Sequence, residues 1–347
     1  MKRYHLYLFP YVFLSFLLLF SCKKKTNREL IFESVEILEG KNLPINFMLG
    51  RPYQLKLLDS LLIIADRVES KALTIYDYKN NKLIKEAINI GQGPNEIILP
   101  IQVTVNIIEK KIGILERQKG TYTLFRISDI LNTPQISNSI YLGNIDLVSE
   151  TSKGYISQGF YDKGSLGVHD KNGKLMNVIN IYPHYINEIK DISTRYRFGQ
   201  GPIAFNKKSN LLAFAGYFSG EIKFYHLNDS NKLDIEKLYN LSIASTIEKR
   251  INEGSTNIEK TDIEYFTDIY STDDYFYILY SGEKMEDRET IKKSHIIIFN
   301  SFGEFVKCYK SNNRIQKICV DENNEYLYAL ALSDNFDYVL LQMKLKL

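Results

Sequence analysis

Apolar and polar positions along this chain alternate in a recurring unit: a polar turn leads into a short strand-like apolar run. The unit appears at Asp59-Ser60 before Leu61–Ile64, Lys110-Lys111 before Ile112–Leu115, and Lys153-Gly154 before Tyr155–Ser157. It returns at Ser209-Asn210 before Leu211–Phe214, Asp273-Asp274 before Tyr275–Ile278, and Asn323-Asn324 before Glu325–Tyr328. The six copies lie about 43 to 65 residues apart, the length of a four-stranded propeller blade with variable loops. A second hairpin follows most copies. Thr74–Tyr78 turns through Lys79–Lys82, Leu166–His169 through Asp170–Gly173, Ile222–His226 through Asn228–Asn231, and His295–Phe299 through Asn300–Gly303. Asn, Asp and Gly provide the backbone conformations that such tight turns need. The second copy departs from the pattern, its turn running through Ser128–Pro134.

The pattern predicts an all-β fold, a six-bladed β-propeller whose blades each run outward from a first, inner strand to a fourth, outer one. The sixth copy supplies a second strand near Tyr326–Leu332 and a third near Tyr338–Lys346 before Leu347. Its outer strand must come from elsewhere, since an unpaired edge would leave the ring unsealed. Glu29–Leu38 has strand character, so the ring is expected to close by this N-terminal strand completing the last blade. The alternatives are an open row of antiparallel sheets, or a seventh blade hidden between the fourth and fifth copies. Ser245–Glu264 in that interval is polar, charged and compatible with helix, and reads better as a long inserted loop.

The first segment follows a different pattern. Lys2 and Arg3 precede an almost wholly apolar run, Leu6–Phe20, too short to span a bilayer comfortably and interrupted by Pro10. It reads as a signal-peptide core. Leu19-Phe20-Ser21-Cys22 resembles a bacterial lipobox, with Phe20 bulkier than usual at its position. The resemblance implies lipidation of Cys22, which becomes the new N-terminus; an ordinary secretory signal with a chance cysteine is the alternative. Three segments are therefore expected: residues 1–21 as lipoprotein signal peptide, 22–29 as lipidated tether and 30–347 as propeller. The protein is placed at the outer membrane, held through the lipid. Lys23, Lys24 and Lys25 follow the cysteine where surface-export signals are acidic, which favours a periplasmic-facing location over the cell surface.

Composition narrows the function classes. Lys and Arg number 44 against 41 Asp and Glu, a net charge of +3, and no basic stripe with interleaved aromatics occurs, so nucleic acid is not an expected partner. Trp is absent while Tyr supplies 25 residues, a composition that leans toward strands. His5, His169, His184, His226 and His295 are scattered without ligand spacing, so no metal and no cofactor is expected. Cys308 and Cys319 fall on the outer strand of blade five and the inner strand of blade six, too far apart to bridge, and read as two free buried thiols.

Gly91-Gln92-Gly93-Pro94-Asn95-Glu96, followed by Ile97-Ile98-Leu99, resembles the Gly-x-Gly-Pro-Gly-Glu signature of six-bladed, TolB-like propeller lipoproteins abundant in Bacteroidota. The resemblance extends to the lipobox, the Leu61–Asp66 run and the Asp170-Lys171-Asn172-Gly173-Lys174 turn. It implies an architecture and an address, but no ligand. Asn95 stands where the signature has its third glycine, and Asn tolerates the left-handed conformation.

In a propeller, crossovers between blades share one face with the loops joining second and third strands. Candidate ligand-binding residues on that face are Gln92, Asn95, Glu96, Arg117, Tyr161, Arg195, Arg197, Gln200 and Tyr217. Arg195 and Arg197 flank Tyr196 in Arg195–Pro202, a partial echo of the first Gly-Gln-Gly-Pro, and suit an anionic or planar ligand. The alternative is that the glycines shape a crossover and the arginines bridge blades. No catalytic residue is assigned: phosphate-loop and nucleophile-elbow motifs are absent, and a Tyr161–Glu96 pair carries little weight. Three functions remain open: a module binding a protein, peptide or small anionic ligand; a carbohydrate-active enzyme or glycan binder using Tyr161, Tyr196 and Tyr217 as stacking platforms; or a scaffold of an envelope complex.

Overall fold

A computed structural model of the chain describes residues 35–68, 70–241, 246–289 and 293–347. The first described strands are β1 (Val35–Ile37) and β2 (Gly40–Asn42). Blade one contains β3 (Gln54–Leu58), β4 (Leu61–Val68), β5 (Lys71–Asp77) and β6 (Lys82–Asn89). Blade two contains β7 (Pro100–Asn106), β8 (Lys111–Glu116), β9 (Thr121–Arg126) and β10 (Ile136–Tyr141). Blade three follows with β11 (Ile145–Glu150), β12 (Gly154–Tyr161), β13 (Gly164–Asp170) and β14 (Leu175–Ile179). Blade four has β15 (Ile203–Asn206), β16 (Leu211–Ala215), β17 (Glu221–Leu227) and β18 (Leu233–Asn240). Blade five has β19 (Ile263–Ser271), β20 (Tyr275–Lys284), β21 (Ser294–Asn300) and β22 (Phe305–Ser311), and blade six β23 (Arg314–Val320), β24 (Tyr326–Leu332) and β25 (Tyr338–Lys344). Each first strand neighbours the next, from β3 through β7, β11, β15, β19 and β23 back to β3, so the inner strands close a ring.

The strand patterns follow from the ring. Middle strands are covered on both faces by adjoining blades and are apolar throughout, as in Leu62-Ile63-Ile64-Ala65 and Ile296-Ile297-Ile298-Phe299, all essentially unexposed. Outer strands such as β10 and β18 face water and carry mostly exposed residues. Six apolar clusters sit between neighbouring blades, for example Leu55, Leu57, Leu62 and Ile64 of blade one against Cys319, Tyr328, Leu330 and Leu340 of blade six.

The second hairpins share one device. The side-chain oxygen of the first turn residue accepts two backbone N–H bonds: Asp77 from Lys79 and Asn80, Asp170 from Asn172 and Lys174, Asn228 from Ser230 and Lys232, Asn300 from Phe302 and Glu304. The turn then passes through a left-handed residue, Asn81, Gly173, Asn231 or Gly303. These are the residue types that occupy positive φ at least cost. In blade two a short helix, Ile127–Leu131, takes the place of this turn.

Closure uses the N-terminal chain, shifted from the segment the sequence suggested. β1 does not complete blade six; it lies parallel to β22 as a fifth strand of blade five, with Val35 opposite Cys308 and Ile37 opposite Lys310. β2 then completes blade six antiparallel to β25, Gly40 facing Met343 and Asn42 facing Leu341. Between them Leu38, 3% exposed, enters the core between the two blades. Gly40 fits because a Cβ there would come within 2.9 Å of Met343 Cε. Part of the suggested closing segment, residues 29–34, and the expected signal peptide, Cys22 and tether lie outside the described residues.

Cys308 and Cys319 are buried free thiols. Burial pushes the Cys308 thiol up to about 12. His169, 3% exposed, receives or shares a hydrogen bond with Ser157 Oγ at 2.8 Å from Nε2 and donates Nδ1–H to Gly173 O at 3.0 Å. Burial lowers its pKa from the ordinary value. The folded protein therefore holds His169 neutral where the unfolded chain binds a proton. Its contribution is fully present above about pH 6.5 and is lost as pH falls through the lowered folded-state value. His169→Asn is expected to flatten the fall of Tm between about pH 7 and 5; an unchanged slope in a pH series of thermal melts would contradict this.

Candidate functional site

The interval between blades four and five holds a helix, Thr246–Asn252, rather than a further blade. It packs with helices His184–Asn187 and Ile192–Gly199 of the preceding crossover. Ile186, Ile189, Phe198, Phe218 and Ile247 form a small separate core beneath these helices. The helical cap stands on the crossover face, beside the channel mouth.

At that mouth lies a recess of about 450 Å³. It is bounded by the approach to blade one (Arg51, Tyr53, Gln54), Arg117 of blade two, Asp146 and Gln158 of blade three, and Tyr196, Gln200 and Tyr217 around the cap. Gln316, Lys317 and Tyr338 of blade six complete the wall. Arg51 is held by its backbone: Asp66, 1% exposed, accepts the N–H groups of Gly50 and Arg51 at 2.8 and 2.7 Å. That explains the acid at the end of the Leu61–Asp66 run. Arg117 Nη2 meets Asp146 Oδ1 at 2.6 Å.

Deeper in the channel, Lys317 Nζ donates to Thr267 O at 3.1 Å and stands 3.7 Å from Asp268. Burial opposes its charge, but Asp268, Tyr217 and Glu264 together outweigh it and raise the pKa above the ordinary lysine value. Lys56 sits 5.5 Å over the Tyr270 ring. Burial pushes its pKa down; Asp268 partly offsets this, and Lys317 adds to it. Asp268 thus acts on both lysines, of which Lys317 reaches the wall of the recess.

The structure brings together Arg117, Gln200 and Tyr217 from the sequence-derived set, with Tyr196 beside them. The other candidates are elsewhere, and all but the exposed Gln92 are already engaged. Asn95, left-handed as its position suggested, accepts from Ile136 N at 3.0 Å, and Glu96 accepts from Gly93 N at 2.8 Å. This fixes the 91–96 crossover, with Gln92 exposed on it, against the outer strands of blades one and two. A Cβ on Gly91 would lie 2.1 Å from Glu96 Oε2, so the glycine leaves room for the carboxylate that staples the loop. Tyr161 lies over Gly167, 2.6 Å from Ser157 Oγ, with burial pushing its hydroxyl up to about 12; it is not paired with Glu96. Arg195 donates to Asp162 O at 2.6 Å and Arg197 to Thr256 O at 3.1 Å, so both tie the cap to its surroundings.

Sequence reasoning missed Gln158 and Lys317, polar residues within the strands Gly154–Tyr161 and Arg314–Val320. Arg51 and Tyr53 carried no such signal, because they precede the first repeat. Among the described residues, no three His, Cys, Asp or Glu side chains converge as a metal site, and no helix is long and apolar enough to cross a membrane.

Residues 27–323 match the family described as TolB-like 6-blade propeller-like. The chain belongs to this TolB-like family. Solved structures agree on the fold. A Bacteroides fragilis protein described as exported is 13% identical, with a TM-score of 0.61 over 90% of this chain and 96% of its own. A Bacteroides vulgatus member of the DUF4221 family is also 13% identical, with a TM-score of 0.63 over 90% of this chain and 99% of its own. No curated protein matches the chain. At such identity the likeness carries architecture and leaves the ligand to the site's own chemistry.

Proposed function

We propose that this TolB-like propeller is exported, held at the outer membrane through a lipid on Cys22 and facing the periplasm, and that it binds a ligand at the channel mouth on its crossover face. The observation that carries the binding role is the recess itself. Its walls come from blades one, two, three, four and six and from the helical cap, and 450 Å³ lies in the range of small-molecule sites. Its polar and aromatic lining is Arg, Lys, Gln and Tyr with one carboxylate, Asp146, paired to Arg117, beside the apolar Pro52, Ile101 and Leu147. A glycosidase needs two carboxylates facing across the sugar, so the lining suits binding better than hydrolysis.

The test is a thermal-shift screen of the full chain in detergent against small acids, sugars and peptides. A ligand at a hundred times its Kd raises the unfolding free energy by about 2.7 kcal/mol. With affinity about tenfold weaker, that stabilisation should fall to about 1.4 kcal/mol in Arg117→Gln, whose side chain is half exposed and lies in the recess. Stabilisation by no class of compound would sink the binding reading in favour of a scaffold. Export and anchoring are tested separately. Cys22→Ser should move the protein from the membrane to the soluble fraction, and retention in the membrane would overturn the anchor.

A further inference from the structure

We infer that the recess selects ligands bearing a carboxylate, received by the Gln158 amide and Arg117 with the ligand body against the tyrosines; this rests on the binding role proposed above. Gln158 is 1% exposed, and its Nε2 has no hydrogen-bond partner among the described residues. Its orientation is not free, because Oε1 accepts from Gly201 N at 3.3 Å. Flipping the amide would present the wrong group to Gly201. A buried donor on a residue that lines the recess thus has nothing to donate to, a costly condition that a ligand acceptor relieves.

The surrounding chemistry specifies what kind of acceptor. Arg51, Arg117 and Lys317 line the recess against a single carboxylate, Asp146. Lys317 is in turn 3.7 Å from Asp268. Donors and cations therefore exceed acceptors around this space, which favours an anionic oxygen ligand over an amine. Arg117 makes one described ion pair, to Asp146, and its planar guanidinium suits the fork of a carboxylate. Tyr53, Tyr196, Tyr217 and Tyr338 offer aromatic faces and edges for an apolar or planar remainder. Gly201 is fixed in this role, since a Cβ there would come within 1.9 Å of the Ala215 carbonyl oxygen. The second Gly-Gln-Gly-Pro thus positions both Gln200 and the Gln158 amide.

Both a free organic acid and a peptide C-terminus present a carboxylate, and the experiment separates them. Calorimetry on the full chain in detergent would compare phenylacetate with phenylacetamide, and N-acetyl-Ala-Tyr as free acid with its C-terminal amide. The acids should bind at least about tenfold more tightly than their amides. Binding by phenylacetate alone assigns a free organic acid, and binding by the dipeptide acid alone assigns a C-terminus. Gln158→Glu keeps an oxygen for Gly201 N but replaces the donor by a like charge, so acid binding should weaken by on the order of a hundredfold. Arg117→Gln should weaken it by about tenfold without perturbing the fold. Equal binding of acids and amides, lost in Arg117→Gln, would overturn the carboxylate inference and leave the binding role standing. Binding of none of the four probes, with sugars or other neutral compounds stabilising the protein, would overturn it too. If no compound of any class binds, the binding role falls with it.

Discussion

Arg250→Met is expected to lower the unfolding free energy by about 3–5 kcal/mol. Asp262 is fully buried, and Arg250 Nη2 lies 2.7 Å from each of its carboxylate oxygens. Nη1 meets Glu259 Oε2 at 2.7 Å, and Glu259 N donates to Asp262 Oδ2 at 2.8 Å. The group ties the helix Thr246–Asn252 to the start of β19, and through Ile247 to the core of the cap. Methionine keeps the apolar stem but leaves Asp262 charged and buried without its cation, which costs far more than the pair itself contributes. Arg250→Met combined with Asp262→Leu should recover much of the loss, since two apolar groups leave no charge to desolvate. Urea unfolding of the two variants checks both statements. A loss below about 1 kcal/mol in the single variant would mean that the ion group is solvated.

Leu38→Ala is expected to cost about 2–5 kcal/mol. Leu38 is the one side chain of the closing chain that is driven into the gap between blades five and six, against Ile318, Leu341 and neighbours of that cluster. Its backbone is held on one side, Leu38 N to Lys310 O at 2.9 Å, and Leu43 N bonds Leu340 O at 2.8 Å on the other. A void there cannot close without loosening one of the two strands. The same variant should speed exchange of amides in β25, while β12 in blade three stays protected. Equal loosening of all blades would contradict a local latch.

Most of the ring was legible because its signals are local. The six anchors fall in β4, β8, β12, β16, β20 and β24, the second strand of every blade, and the Asx turns stand where their residue types demanded. The closure was legible in kind but not in register. β2 is Gly-Lys-Asn, three exposed residues with no apolar alternation, so nothing in its composition marks it as a strand. Val35 and Ile37, which suggested the closing strand, add to blade five instead, and Leu38 at the end of that segment serves as a plug. The site was partly legible: Arg117, Gln200 and Tyr217 reach the recess because their loops belong to the crossover face. Arg195 and Arg197 do not, because the helix Ile192–Gly199 turns both toward backbone carbonyls. A helix inside a crossover was not foreseeable from a motif read as a loop. Gln158 and Lys317 sit on the strands themselves, and only the ring geometry brings blade three to face blade six.

Closure sets Arg51 and Tyr53 beside Lys317 and Tyr338, so the recess exists only if the strap is where it is described. An engineered disulfide between Lys41→Cys and Gln342→Cys, in a Cys22→Ser background, tests this directly. The two residues face each other across the antiparallel pair of β2 and β25, within the Cα separation a disulfide spans. Cys308 and Cys319 are buried with raised pKa values and should not compete. Mild oxidation should form the bond within one molecule, completely, with a higher Tm than the reduced form. Two thiols that stay open to reagent, or that link only between molecules, would mean that the ring is not closed by residues 40–42.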